Sequence, residues 1–189
     1  MKANIKAFQA GWSFGETTED FAVSYEVKPA ALPAGRYRNI SGNVALAYGL
    51  IAASQLSELP IFLGSYPITP ASDILHELAK HKRFGVMTFQ AEDEIAGIGA
   101  ALGASYGGML GVTTTSGPGV SLMQEFLGLA YFAEIPVVLF DVQRGSPSTG
   151  MPTRTQQADL FSCAYASHGD TKHVMLLPED PREAFDFAA

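Results

Sequence analysis

Four apolar runs, 59–64, 84–89, 111–115 and 135–141, set the frame of this 189-residue chain. Each is too short for a core helix and too continuous for a strand with one wet face. Between them lie stretches of helical length: 42–56, 70–81, 94–106 and 120–133. Buried strands alternating with helices imply a parallel sheet covered on both sides. The expected fold class is therefore α/β, a doubly wound, mainly parallel sheet with helices on both faces. In such sheets ligands bind beyond the carboxyl ends of the strands. The loops at those ends are 64–70, 90–94, 115–119 and 141–160, and they also hold the chain's unusual residues.

The pattern begins at Ser41, a natural cap for a helix from Gly42 to about Leu56, with Val44, Leu46, Leu50 and Ile51 as core candidates. Pro70 suits the first turn of the next helix. A fifth strand is expected over 173–177 (His-Val-Met-Leu-Leu) and a last helix over 180–189. Residues 1–40 read differently: 11–20 look irregular, 22–27 alternates like a short edge strand, and 28–35, with two prolines and a glycine, looks like a linker.

Composition narrows the function classes. A net charge of −7 argues against a nucleic-acid or anionic-membrane surface. One cysteine, Cys163, builds neither a disulfide within the chain nor an iron–sulfur site, and the four histidines show no metal-ligand spacing. No metal ligand is expected on this chain. No apolar run reaches the ~18 residues of a membrane span, and the N-terminus lacks a secretory signal core. The expected location is cytoplasmic.

The densest chemistry lies at 89–103, where Glu92, Asp93 and Glu94 close an apolar run and open a helix of very small residues. Acids at a helix start are favoured by the macrodipole. The glycines that follow, Gly97, Gly99 and Gly103, each weaken a helix by up to ~1 kcal/mol relative to alanine. Such a helix implies that something approaches its backbone closely.

Four segments in this order resemble one family: Tyr66-Pro67-Ile68-Thr69-Pro70, Glu92-Asp93-Glu94-Ile95, Thr115-Ser116-Gly117-Pro118-Gly119 and Arg144-Gly145-Ser146-Pro147-Ser148-Thr149-Gly150. They are similar to the alpha subunit of the 2-oxoacid:ferredoxin oxidoreductases, its 2-oxoglutarate branch above all, over at least residues 40–189. The resemblance implies the pyrimidine-binding domain of a thiamine diphosphate enzyme. It implies oxidative decarboxylation of a 2-oxoacid to an acyl-coenzyme A, with electrons passed to ferredoxin. Thiamine diphosphate would be shared with a beta subunit, and Mg2+ and 4Fe-4S clusters would sit on that partner within a larger oligomer.

The resemblance also assigns roles. Glu94 matches the glutamate that pairs with N1′ of the aminopyrimidine and so promotes loss of the thiazolium C2 proton; Glu92 is the alternative and Asp93 reads as structural. Thr69, Arg144 and Thr153 match substrate-binding positions, and Arg154 is a further candidate for a second carboxylate. Thr69 would also serve as a helix cap. A planar guanidinium suits a carboxylate in a way that lysine does not copy. Pro67, Ser116 and Gly117 fall on the cofactor side, together with Glu94. Ser116-Gly117-Pro118-Gly119 lacks the lysine of a phosphate-binding loop, so a tight turn shaping the pyrimidine side is the expected role.

The chain departs from the family in lacking a Cys-rich cluster motif and a Gly-Asp-Gly metal and diphosphate motif. Residues 1–40 are expected to connect from an absent gamma-like domain upstream. Residues 41–189 would be the pyrimidine domain, truncated at its C-terminus and inactive alone. The helix segments 121–124 and 127–132 are candidate neighbour-facing surfaces, or merely core. Alternatives are pyruvate or branched-chain 2-oxoacids as substrate, another thiamine-dependent activity of transketolase type, and a noncatalytic assembly domain.

Overall fold

The computed structural model describes residues 1–18, 23 and 25–189, which divide into two units, Met1–Arg38 and Asn39–Ala189. The first holds helix α1 (Lys2–Thr17). This corrects the irregular reading of residues 11–17. Ala3, Ala7 and Ala10, with Ile5, Phe8 and Trp12 at helical spacing, outweigh the cost of Gly11 and Gly15. The short strand expected over 22–27 falls partly outside the described residues, and Tyr25–Val27 carry no strand.

The second unit is a parallel α/β sheet. Ser41 caps α2 (Gly42–Ser57), its Oγ accepting from Val44 N–H at 3.4 Å, and Glu58 ends that helix in the left-handed region. Then follow β1 (Ile61–Ser65), α3 (Ser72–Leu78), β2 (Val86–Gln90), α4 (Glu94–Tyr106), β3 (Leu110–Thr115), α5 (Gly117–Ala133), β4 (Val138–Asp141), α6 (Leu160–Ala164) and α7 (Pro181–Ala188). The strands lie in the order β2-β1-β3-β4, every pair parallel. The chain runs from β1 out to β2 on one side and then crosses β1 to β3 on the other, so the switch point falls between the carboxyl ends of β1 and β3.

Each face buries its own core. On one, Leu46, Leu50, Ile74, Leu78 and Ala184 pack on Ile61, Leu63 and Val112, with Ile51 partly buried against them. On the other, Ile98, Leu102, Met123 and Ala130 pack with Phe126 and Leu139. Met123 is therefore core, whereas Leu122, Leu129, Tyr131 and Phe132 on the same helix are exposed.

The small residues of α4 serve the sheet. A Cβ at Gly64 would collide with the Gly97 carbonyl oxygen, and one at Gly111 with that of Ala101. The backbone of α4 thus seats directly on β1 and β3, and it is the sheet that makes the close approach. Gly99 lies against the Phe126 ring, and a Cβ at Gly103 would meet open space.

Three expected boundaries shift for local reasons. Helix α3 starts at Ser72, because residues 70 and 71 form a turn in which Ser72 N–H bonds Ile68 O. Strand β4 starts at Val138, because Ile135 N–H is taken by Ala130 O and Pro136 has no N–H. Helix α5 begins at Gly117 with Pro118 in its first turn. The expected strand over 173–177 makes no ladder among the described residues. Its side chains alternate, His173 and Met175 half-buried and Val174 92% exposed, and a cavity of about 560 Å³ lies between it and β4.

The histidines serve packing and surface. His81 and Lys80 contact Glu77 at 3.2 and 2.7 Å, His173 Nε2 lies 2.8 Å from Ala166 O, and His168 pairs with Glu125 at 3.6 Å in solvent. Among the described residues no helix is long and apolar enough to cross a membrane.

Candidate functional site at the carboxyl ends of the strands

The switch point is tied together by hydroxyls. Ser65, the last residue of β1, lies beside Thr114 of β3, and its Oγ is 2.8 Å from both the carbonyl and the hydroxyl oxygen of Thr114. Ser65, Thr113, Thr114, Thr115 and Ser116 are all buried, an unusual polar density for strand ends. Ala91 N–H then bonds Ser65 O at 2.9 Å and leads the chain from β2 into the acids.

Geometry separates those three acids. Asp93 caps α4, accepting from Ala96 N–H at 2.7 Å. Glu92 points to solvent. Glu94 turns inward and is 8% exposed. Its Cγ would stand 2.9 Å from a Cβ at Gly119, and that same Cβ would overlap the Thr115 hydroxyl. Glu94 thus lies across the first turn of α5 in room that the glycine leaves. Its carboxylate makes no hydrogen bond or ion pair among the described residues, unlike that of Asp93. The residue is buried, but its carboxylate oxygens are not enclosed and stay open to a partner.

Arg144 is 5% exposed and faces inward from the loop after β4. Its Nη1 donates to Thr69 O and its Nη2 to Thr149 O, both at 2.8 Å, while Nε is buried without a partner. One guanidinium thus ties the β1–α3 loop to the loop that carries it. The Thr69 side chain is exposed and does not cap α3, whose N-cap position is Ala71; this corrects the capping expectation. Pro67 is half-buried in the same loop.

The 143–159 loop closes on itself. Gly145 N–H bonds Arg154 O, Met151 N–H bonds Gly145 O, and Ala158 N–H bonds the Gln143 side chain at 3.1 Å. Gly150, at φ +60, has no room for a Cβ beside Gly145 O. Thr153 and Arg154 are exposed on this loop. Ser116 and Gly117 are buried, and the Ser116 hydroxyl has no partner and does not cap α5.

Sequence reasoning missed a second set of polar groups at this end of the sheet. Asp141 ends β4 and accepts from the Cys163 thiol at 3.4 Å. Burial pushes the Asp141 carboxyl up to about 6; the Cys163 hydrogen bond opposes the rise and Asp159 adds to it. Burial first, and then Asp141, push the Cys163 thiol up to about 12, so it stays protonated and unreactive. Asp159, also buried, has an unpartnered Oδ2. An acid ending the most apolar strand was visible in the sequence; that Asp159 folds back beside it was not. No group of three metal-ligating side chains occurs among the described residues.

A profile for pyruvate flavodoxin/ferredoxin oxidoreductase, thiamine diphosphate-binding, matches residues 54–189. The chain belongs to this family. The family's thiamine diphosphate fits what the residues offer, an inward Glu94 whose carboxylate has no partner among the described residues, at the carboxyl ends of the strands. The chain is 61% identical over 187 residues to the 2-oxoglutarate oxidoreductase subunit KorA of Mycobacterium tuberculosis, spanning 99% of this chain and 29% of that one. It is 45% identical over 149 residues to the 2-oxoglutarate synthase subunit KorA of Methanocaldococcus jannaschii, spanning 78% and 39%. Among solved structures, the 2-oxoglutarate:ferredoxin oxidoreductase from Magnetococcus marinus with 2-oxoglutarate, coenzyme A and succinyl-CoA bound is similar with a TM-score of 0.73 and 36% identity, over 98% of this chain and 31% of that one. The chain therefore spans 29–39% of the length of these relatives.

Proposed function

We propose that this chain is the alpha-subunit portion of a 2-oxoglutarate:ferredoxin oxidoreductase, with residues 41–189 as its pyrimidine-binding domain and residues 1–40 as a connector. The carrying observation is Glu94, an inward carboxylate with no partner among the described residues, set where a parallel sheet binds ligands. The names and bound molecules of the relatives support 2-oxoglutarate as the oxoacid and coenzyme A as acyl acceptor.

When bound, thiamine diphosphate supplies the carbon acid on which decarboxylation depends. Glu94 would be the anionic partner that holds the ring nitrogen N1′, through a charge-assisted hydrogen bond. Thr69 and Arg144 flank the oxoacid. Nη1 and Nη2 of Arg144 each donate to one carbonyl oxygen and each retain a second N–H, and Nε is unpartnered, so the guanidinium keeps donors to spare for a carboxylate. Thr153 belongs to the far end of the oxoacid. Pro67, Ser116 and Gly117 shape the pyrimidine side, Ser116 and Gly117 from beneath. Mg2+, the 4Fe-4S clusters and most diphosphate contacts belong to a beta subunit, with ferredoxin as electron acceptor, in a cytoplasmic oligomer.

The test is coenzyme A-dependent ferredoxin reduction by the purified complex with 2-oxoglutarate, pyruvate and a branched-chain oxoacid. Preference for 2-oxoglutarate by kcat/KM is the expected result. Preference for pyruvate would move the substrate assignment, and no turnover with any oxoacid would make the domain an assembly element.

A further inference from the structure

Two acids press on the first turn of α5 at glycines two residues apart. A Cβ at Gly119 would meet Glu94, and one at Gly117 would stand 2.5–2.7 Å from the carboxyl atoms of Asp159. At 3.6 residues per turn these directions differ by about 200°, so the acids lie on opposite sides of the turn. Glu94 belongs to the site proposed above; Asp159 has no place in it.

Asp159 occupies the N-cap position of α6, yet its side chain does not cap that helix. It is turned instead onto α5, only 8% exposed, with Oδ2 unpartnered. Helix α5 has no side-chain cap either, since Ser116 makes no capping bond. A carboxylate against an uncapped helix start is favoured by the macrodipole, which offsets part of its burial cost. One residue earlier, Ala158 N–H bonds Gln143 and closes the base of the loop. The loop is therefore fixed at its first residues by Arg144, held to Thr69 O and Thr149 O, and at its last by Asp159 on α5.

We infer that Asp159 is a positioning residue, a latch that seats on Gly117 and holds the Arg144-bearing loop over the site. Gly117 lacks a side chain because the latch occupies its place. The same contact closes the α5 N-terminus to other anions, so Ser116-Gly117-Pro118-Gly119 carries a carboxylate of this chain where a phosphate-binding loop would carry its ligand.

The test is hydrogen exchange of the full-length subunit in its assembled complex, following residues 145–158, with oxoacid kinetics alongside. Asp159→Asn keeps the shape and removes the charge. It should speed exchange across 145–158 several-fold, leave α4 and α5 unchanged, and raise the oxoacid KM several-fold with kcat and thiamine diphosphate affinity little altered. Asp159→Ala should do more. Gly117→Ala, which puts a methyl where the carboxylate sits, should reproduce the exchange pattern, and combining it with Asp159→Ala should add little. Unchanged exchange at 145–158 in Asp159→Asn overturns the latch, as does a uniform rise across the domain. The kinetic arm rests on the proposed function and the exchange arm does not. A wild-type complex without oxoacid turnover would sink that function while exchange still decides the latch.

Discussion

Glu94 lies across Gly119, its Cγ 2.9 Å from where a Cβ of that residue would stand. The catalytic candidate and the α5 turn beneath it are therefore one packing unit, and the glycine is required first by the Thr115 hydroxyl and then by Glu94.

Gly119→Ala should displace Glu94 and press on the Thr115 hydroxyl together. Overpacking of this kind costs about 1–3 kcal/mol. In the assembled complex the expected outcome is a large fall in kcat with the subunit still folded, checked by turnover together with the melting temperature. Wild-type turnover would mean that Glu94 does not depend on this contact.

Arg144→Lys removes a planar fork that reaches two carbonyl oxygens and substitutes one ammonium. An ammonium does not reproduce the fork between Thr69 O and Thr149 O, and hydrogen bonds to charged groups contribute about 1.5–3 kcal/mol each. The oxoacid KM should rise about tenfold or more, read from initial rates against 2-oxoglutarate. A KM held at the wild-type value would show that neither the ties nor substrate binding require the guanidinium.

Much of this arrangement was legible in the sequence, because continuous apolar strands and Pro/Gly-marked loops report a parallel sheet and its ligand-binding end directly. Asp93 and Glu94 separate by elementary helix geometry, one as cap and one in the first turn. The small residues of α4 were misjudged, because Gly97 faces Gly64 of β1 and Ala101 faces Gly111 of β3, and a sequence shows small residues without showing what they face. Segment 173–177 has the composition of a strand, but a ladder needs a neighbour within hydrogen-bonding reach, and the cavity beside β4 intervenes. Asp159 was missed for a related reason: its position reads as an ordinary helix cap, while its side chain serves another helix.

Two partly exposed acids give pH effects of opposite sign. Glu77, held down at about 2 chiefly by Lys80 and then His81, contributes stability above its unfolded value of 4.5 that is lost as pH falls towards 2. Asp141, pushed up from 3.8 to about 6, contributes stability below pH 4 that is lost as pH rises through 6. Asp141→Asn should therefore flatten the stability profile of the full-length subunit between pH 4 and 6. At pH 8 it should stabilise by about 1–3 kcal/mol, at roughly 1.4 kcal/mol per pH unit of displacement. Melting temperatures of both proteins across pH 4–8 check this, and parallel profiles would contradict it.

The central claim is that Glu94 is the anionic partner of the cofactor, and Glu94→Gln in the assembled complex tests it most directly. Glutamine keeps the size and removes the charge. Measured as 2-oxoglutarate- and coenzyme A-dependent ferredoxin reduction, turnover should fall by several kcal/mol of transition-state stabilisation, about a thousandfold or more, with the complex intact and thiamine diphosphate still bound. Near-normal turnover in an intact, cofactor-loaded complex would contradict the account and move the role to Glu92 or off this domain.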